Sequence, residues 1–274
     1  MGKFKYFLLK NKIIIIITSI VLICAIAIAI GVYAQVTNRK VIGSKENQNG
    51  NDNHEELETT FDEIFTNEIK KESTAKQNIN YEDMLYCAYN INEEKANYSI
   101  DAKIPLFKLE NDVTKEINKK IYDTFANTIA NIVQNATVHT TFNLDYVAYA
   151  NNNILSLVIR CKYKDGSNPQ RDIIMTYNYD VEQNKVINID EAIQYKGLNK
   201  EDVQKRVLDK IKEKNVQMRT ISNQGYNVYM RNEEEDIYKI ENTPNFFIGQ
   251  DNYLYLVYAY GNKNFTSEID LVIF

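Results

Sequence analysis

Histidine is almost absent from this chain, at two in 274 residues, and tryptophan does not occur at all. His54 falls in a polar stretch and His139 stands beside Thr140 and Thr141, with no residue placed to orient it as a base, so it reads as the start of a strand. Enzymes that need imidazole for proton transfer or metal binding are thereby mostly excluded. Nor is there an HExxH helix, a Gly-x-Ser-x-Gly elbow, a Gly-Lys-Ser phosphate loop or a cysteine-rich metal pattern. No catalytic residue, cofactor site or metal site is assigned. Carboxylates are plentiful, but nothing in the sequence selects a working pair from them.

Cysteine is limited to Cys24, Cys87 and Cys161. Cys24 lies inside an apolar run behind Ile23, where lipoprotein processing would require a small residue. Cys87 and Cys161 remain as an even pair for a disulfide in an oxidising compartment. Both also sit in strand-like runs, LYCAY and LVIRCKY, so two buried thiols on β-strands is the competing reading, and spacing does not decide between them.

Acid is missing from the first 40 residues, which hold six bases; the remainder holds 26 bases against 37 acids, a balance of −11 hidden within the overall −5. Such a domain is a poor candidate for nucleic acid or anionic lipid and suits a cationic partner, or simply solubility. Glu233, Glu234, Glu235 and Asp236 are the densest acidic run and read as a solvated loop.

In the place of early acid stands the run Ile13–Ala34, IIIIITSIVLICAIAIAIGVYA, directly behind Lys3, Lys5, Lys10 and Lys12. About 20 apolar residues in a helix cross a hydrocarbon core, so residues 13–34 are expected to span the bilayer. The lysines place residues 1–12 in the cytoplasm and the rest outside the cell membrane. Cleavage near Ala34 and secretion is the alternative, disfavoured because a signal peptide's apolar region is shorter. Residues 35–78 are expected to be a flexible linker, GSKENQNGNDNHEELE being too polar to enter a core, with a short amphipathic helix between Thr59 and Lys71 built on Phe61, Ile64, Phe65 and Ile69.

Residues 79–274 are long enough for one sizeable core, or for intertwined subdomains of about 79–138 and 139–274. Tyr81–Ile91 and Tyr98–Phe107 read as a hairpin. Val113, Ile117, Ile121, Phe125, Ile129 and Val133 recur every fourth residue behind Asn111 or Asp112 as a cap, which predicts a helix. Three antiparallel strands follow, Thr141–Ala150, Ile154–Lys164 and Arg171–Asp180, divided by Asn- and Gly-containing turns. A second helix starts at the Asn199 cap and carries Val203, Val207, Leu208 and Ile211, with Lys210, Lys212 and Lys214 placed in its last turn. Phe246–Ile248, Tyr253–Tyr260 and Glu268–Phe274 are further strands. The class is α+β, mainly antiparallel sheets with two main helices packed on them. Three Asn-x-Ser/Thr sequons, at Asn97, Asn135 and Asn264, are expected by chance in so Asn-rich a chain.

Taken in order, Ile104-Pro105-Leu106, then Glu116-Ile117-Asn118, Ile154-Leu155-Ser156-Leu157, Thr176-Tyr177-Asn178-Tyr179-Asp180 and Asn245-Phe246-Phe247-Ile248 resemble one family. It is the RsiV/PdaC-type extracytoplasmic domain of unknown function, found as the ectodomain of a lysozyme-sensing anti-sigma factor and as the non-catalytic half of a peptidoglycan deacetylase. The resemblance runs over about residues 80–274. It implies a single-pass anchor in a Gram-positive bacterium and binding at the cell wall, to peptidoglycan or to a basic wall-directed protein such as lysozyme. Two departures stand against the full role. About 12 residues before the span are too few to hold a sigma factor, and no deacetylase domain follows Phe274. The segment Tyr258-Ala259-Tyr260-Gly261 also lacks the family's usual proline, which sets aside any ligand surface built from that loop. A wall enzyme using unidentified carboxylates, and a signalling accessory cleaved near the membrane, are the alternatives.

Overall fold

The computed structural model describes residues 61–65 and 83–274, within a unit spanning Glu56–Phe274. The expected span 13–34, the tail 1–12 and most of the linker 35–78 lie outside the described residues. Among the described residues, no helix is long and apolar enough to cross a membrane.

The fold is organised around Ile154–Asp165. Its first six residues are all buried, a pattern of a strand covered on both faces. Taken in chain order, the elements are α1 (Phe61–Phe65), β1 (Leu85–Glu94), β2 (Tyr98–Phe107), α2 (Asp112–Asn135), β3 (Thr140–Asn151), β4 (Ile154–Asp165), β5 (Arg171–Asp180), β6 (Lys185–Val186), α3 (Ile189–Tyr195), α4 (Lys200–Ser222), β7 (Asn245–Ile248), β8 (Leu254–Ala259) and β9 (Ile269–Ile273). Strands β1 to β6 form one sheet in sequential order, and β7, β8 and β9 form a second.

All pairs are antiparallel except β2 with β3, which run parallel through the α2 crossover. That pair joins residues on either side of position 139 within one sheet. Pro105 lies within β2 and has no amide proton to give; its partner β1 shifts register there, between Cys87 and Tyr89.

Helix α2 begins where expected. The Asn111 side chain accepts from the Thr114 amide, and the Thr114 hydroxyl oxygen accepts from the Asn111 amide. Its buried stripe is Ile117, Ile121, Phe125, Ile129 and Ile132, and the expected Val133 is exposed. Steps of four drift off a 3.6-residue turn, so the stripe returns to the core with a step of three. Helix α4 also starts at its Asn199 cap but runs to Ser222, about two turns beyond the expected lysine-rich end.

Three apolar clusters show how the layers stack. The odd-numbered residues of β4, Leu155, Leu157, Ile159 and Cys161, meet α2 through Ile117, Ile121 and Phe125. Val158, on its opposite face, meets Phe247, Tyr255, Val257 and Ile273 of the small sheet. The other face of the small sheet, with Leu254, Leu256, Tyr258 and Val272, takes α3 and α4 through Ile193, Val203, Val207 and Ile211. The order is therefore helix, six-stranded sheet, three-stranded sheet, helices. Each fully buried Ile, Leu or Phe adds roughly 1.5–3 kcal/mol relative to an exposed one, so these seams dominate the stability.

Polar side chains lock the two sheets together. The Ile248 amide donates to Ser156 Oγ (3.1 Å), Ser156 Oγ to Asn178 Oδ1 (2.7 Å), and Asn178 Nδ2 to the Phe246 carbonyl (2.7 Å). Ser156 and Asn178 are buried, and this closed circuit offsets the cost of removing them from water. The outer edge of β5 is sealed in the same way. Asn262 accepts from the Ile174 amide and donates to its carbonyl, Asn245 accepts from the Thr176 amide, and the Asp172 amide reaches the Thr266 carbonyl.

Candidate functional site

The small sheet covers only part of the large one. Along β3, Val147 and Tyr149 pack beneath it. On the same face but further toward the strand's start, Asn143 and Asp145 are exposed. Strand periodicity then decides what lines the bare patch, because every second residue of β2, β3 and β4 points the same way. Register places Asp101 beside Asn143 and Asn143 beside Lys162, with Lys162 beside Asp172. Asp145 stands opposite Arg160 and within 3.6 Å of Lys103. All of these but the buried Asp172 line a cleft of about 330 Å³ formed by Asp101, Lys103, Asn143, Leu144, Asp145, Arg160 and Lys162. Acids and bases alternate along both rows, so the face offers both signs within one cleft.

Arg160 is the best-held group in the cleft. Its side chain is 10% exposed, and Asp172 behind it is 2% exposed. Nε and Nη2 of Arg160 both donate to Asp172 Oδ2, at 3.1 and 2.6 Å, while Gln170 Nε2 donates to the other oxygen at 2.9 Å. Such a planar, charge-assisted grip fixes the guanidinium's direction. Nη1 donates to Asp62 on α1, and the ring of Phe61 lies 5.5 Å from the guanidinium carbon. The hydrogen bond from Arg160 holds the Asp62 carboxyl below its usual range; burial opposes this, and the charges of Arg160 and Lys162 reinforce it.

Two other polar groupings are committed to structure. A cleft of about 260 Å³ beside α3 is lined by Asp180, Lys185, Glu191 and Tyr195, but Lys185 binds Glu191 at 2.6 Å, and Glu191 already caps α3. Inside the small sheet's outer layer, Arg231 donates to both oxygens of Asp270 (2.8 and 2.9 Å) and to Glu268 (3.0 Å). Tyr260 also donates to Asp270, and its hydroxyl meets that of Tyr238, each at 2.7 Å. Arg231 and Asp270 are buried, and this network ties the segment after α4 to β9. Among the described residues, no three His, Cys, Asp or Glu side chains are grouped to hold a metal ion.

The pair considered for a disulfide is not joined. Cys87 is a free, exposed thiol on β1, and Cys161 is a free, buried thiol on β4. Three strand spacings separate β1 from β4, about 14 Å, twice what a bridge tolerates between Cα atoms. Burial pushes the Cys161 thiol far up from its ordinary value, so it is inert. His139 directly precedes β3, as expected, and is exposed, with Nδ1 3.2 Å from the Ala96 carbonyl. Glu233 accepts from Asn215 (2.9 Å), while Glu234 and Asp236 are exposed. Asn97, Asn135 and Asn264 each donate through their amides to neighbouring groups. Tyr258, Tyr260 and Gly261 are buried, so that segment is core and not a ligand surface.

None of the cleft residues stands out singly in the sequence. The available signal is Arg160 and Lys162 interrupting the otherwise apolar run of β4, on the face opposite Cys161.

No family model matches the sequence, and no curated protein matches it. Among solved structures, the chain is similar to a DUF3298 family protein from Pseudomonas aeruginosa PAO1, with 12% identity, a TM-score of 0.39, and coverage of 65% of this chain and 82% of that one. It is also similar to a DUF3298 family member from Bacteroides fragilis NCTC 9343, with 9% identity, a TM-score of 0.33, and coverage of 58% and 74%. TM-scores this low do not assign the chain to a family.

Proposed function

We propose that this chain is a non-catalytic binding module of the bacterial cell envelope, tethered through residues 13–34 with its N-terminus in the cytoplasm, and that its ligand is peptidoglycan. The observation that carries the reading is the bare end of the six-stranded sheet, where Asp101, Lys103, Asp145, Arg160 and Lys162 alternate in sign around one open cleft. Wall peptides carry both carboxylates and amines, and a face of both signs pairs with them where a face of one sign would not. The apolar run, the polar linker and the resemblance to wall-associated ectodomains support the location.

A second reading, capture of a basic wall-directed protein such as lysozyme, is favoured by the −11 balance beyond residue 40. The two are separated by testing the detergent-purified full chain on isolated wall sacculi and on immobilised lysozyme. Retention on sacculi that falls when Lys103 and Lys162 are changed to Glu supports the leading reading. Retention on lysozyme alone moves the function to the second, and retention on neither sinks both.

A further inference from the structure

Helix α1 is placed where a ligand of the sheet face would sit. Five residues make a helix too short to persist by its own propensity, so side-chain contacts must hold it. Phe61 is 5% exposed and belongs to the apolar cluster of Tyr149, Val158, Ile174 and Ile273, at the junction of the small sheet with the large one. The next residue, Asp62, keeps its side chain 72% exposed and reaches the guanidinium of Arg160. Two features thus coincide at the rim of the cleft, an apolar seat that is filled and a buried cation whose outward nitrogen is bound by a carboxylate.

The Arg160 side of this contact is built, and the Asp62 side is not. Asp172 and Gln170 fix Arg160 from behind. Asp172 is fixed in turn by the backbone of Thr266 and by the close passage of Gly261, where an added Cβ would stand 2.3 Å from the Asp172 carbonyl oxygen. Asp62, by contrast, is exposed and comes from a helix of only five residues. A rigid receptor group paired with an exchangeable carboxylate is the arrangement of a site and its occupant. Lys162 adds a second cation beside that carboxylate, and Asp101 and Asp145 lie across the cleft for an amine.

Resting on the peptidoglycan reading above, we propose that the Arg160 end of the cleft is a subsite for the terminal carboxylate of a wall stem peptide, and that Asp62 of α1 occupies it until such a peptide displaces it. The ligand class is a short peptide with a free C-terminal carboxylate and an amine-bearing side chain. The occupant lowers the apparent affinity in proportion to the fraction of molecules in which it is docked.

The test uses the full chain in detergent with acetyl-Lys-D-Ala-D-Ala as probe and the same peptide as its C-terminal amide as control, measured by calorimetry. Asp62→Asn removes the competing charge from an exposed position without touching the core. It should bind the acid on the order of ten-fold more tightly than the native chain. The amide should fail to bind either protein, and Lys162→Gln should weaken the acid. Hydrogen exchange at Phe61–Phe65 in the native chain should accelerate when the acid saturates it. Equal binding of acid and amide, equal affinity of Asp62→Asn and native chain, or exchange at α1 that does not respond would each overturn the proposal. If sacculi still retain the chain in those cases, the peptidoglycan reading survives and only the subsite falls. If no variant is retained on sacculi, both fall.

Discussion

Asp172 receives two protons of Arg160 on a single oxygen while almost wholly withdrawn from water, so each residue depends on the other. Removing one partner of such a pair leaves the other's charge buried and uncompensated. Arg160→Gln should therefore cost about 3–5 kcal/mol in urea unfolding followed by circular dichroism. The double variant Arg160→Gln/Asp172→Asn should recover much of that loss, since no orphan charge remains. With Asp172→Asn measured alongside, a double-variant loss equal to the sum of the two single losses would show that the pair is not coupled.

Gly261 passes so close to Asp172 that an added Cβ would stand 2.6 Å from the Thr266 carbonyl as well. Gly261→Ala must push backbone against backbone, and about 1–3 kcal/mol of destabilisation is expected. Gly197 has a positive φ of 66° with nothing within 4 Å, so Gly197→Ala should cost about 1 kcal/mol from backbone conformation alone. Thermal melts of the two variants check the order.

The two domain thiols should differ sharply in reactivity. Cys87 is exposed and should react with a maleimide in the native protein, whereas Cys161 should react only after denaturation. Mass spectrometry of labelled peptides reads this directly, and recovery of a Cys87–Cys161 cross-linked peptide would contradict the strand order.

Alkali should unfold the domain by a specific route. Burial pushes Tyr177 and Tyr258 up to about 12, and Tyr149, Tyr238, Tyr255 and Tyr260 are raised further, with burial the main cause in each. The stability these groups contribute is intact below their ordinary value near 10 and is lost as the pH rises through their raised values. Tyrosinate absorbance, uncomplicated by tryptophan, should show a late class that ionises together with loss of structure above about pH 12.

Arg231 offers the parallel case in the outer layer. Desolvation alone would lower its pKa, but the hydrogen bond and charge of Asp270, with Tyr260 and Glu268 assisting, raise it overall. Arg231→Met strands Asp270 and should cost about 3–5 kcal/mol, while Tyr260→Phe, which removes one donor, should cost about 1–3 kcal/mol. Chemical denaturation of both variants tests the ranking.

Much of the fold was legible because local signals agreed with one another. Asn152 adopts a positive φ of 49° between β3 and β4, and Gly166 one of 54° between β4 and β5, so the turn residues marked the strand ends closely. Helix α4 was cut short because its buried stripe changes chemistry. Asn215 occupies the core position after Ile211 and pairs with both backbone groups of Arg231, which breaks the apolar period without ending the helix. Helix α3 has only seven residues and shows too little period to read. The cleft was hidden for a different reason. Asp101 neighbours Asn143 only through the parallel pairing of β2 and β3, and a 24-residue helix separates those strands in sequence.

Strand β4 belongs to two cores at once, since Leu157 faces α2 while its neighbour Val158 faces the small sheet. Neither core can come apart without exposing a strand that the other requires. Mechanically, β4 is a shared beam, and heat should melt both sheets in one cooperative transition with no half-folded stage. The charged cleft is laid across that beam, so its geometry persists for as long as the whole domain does.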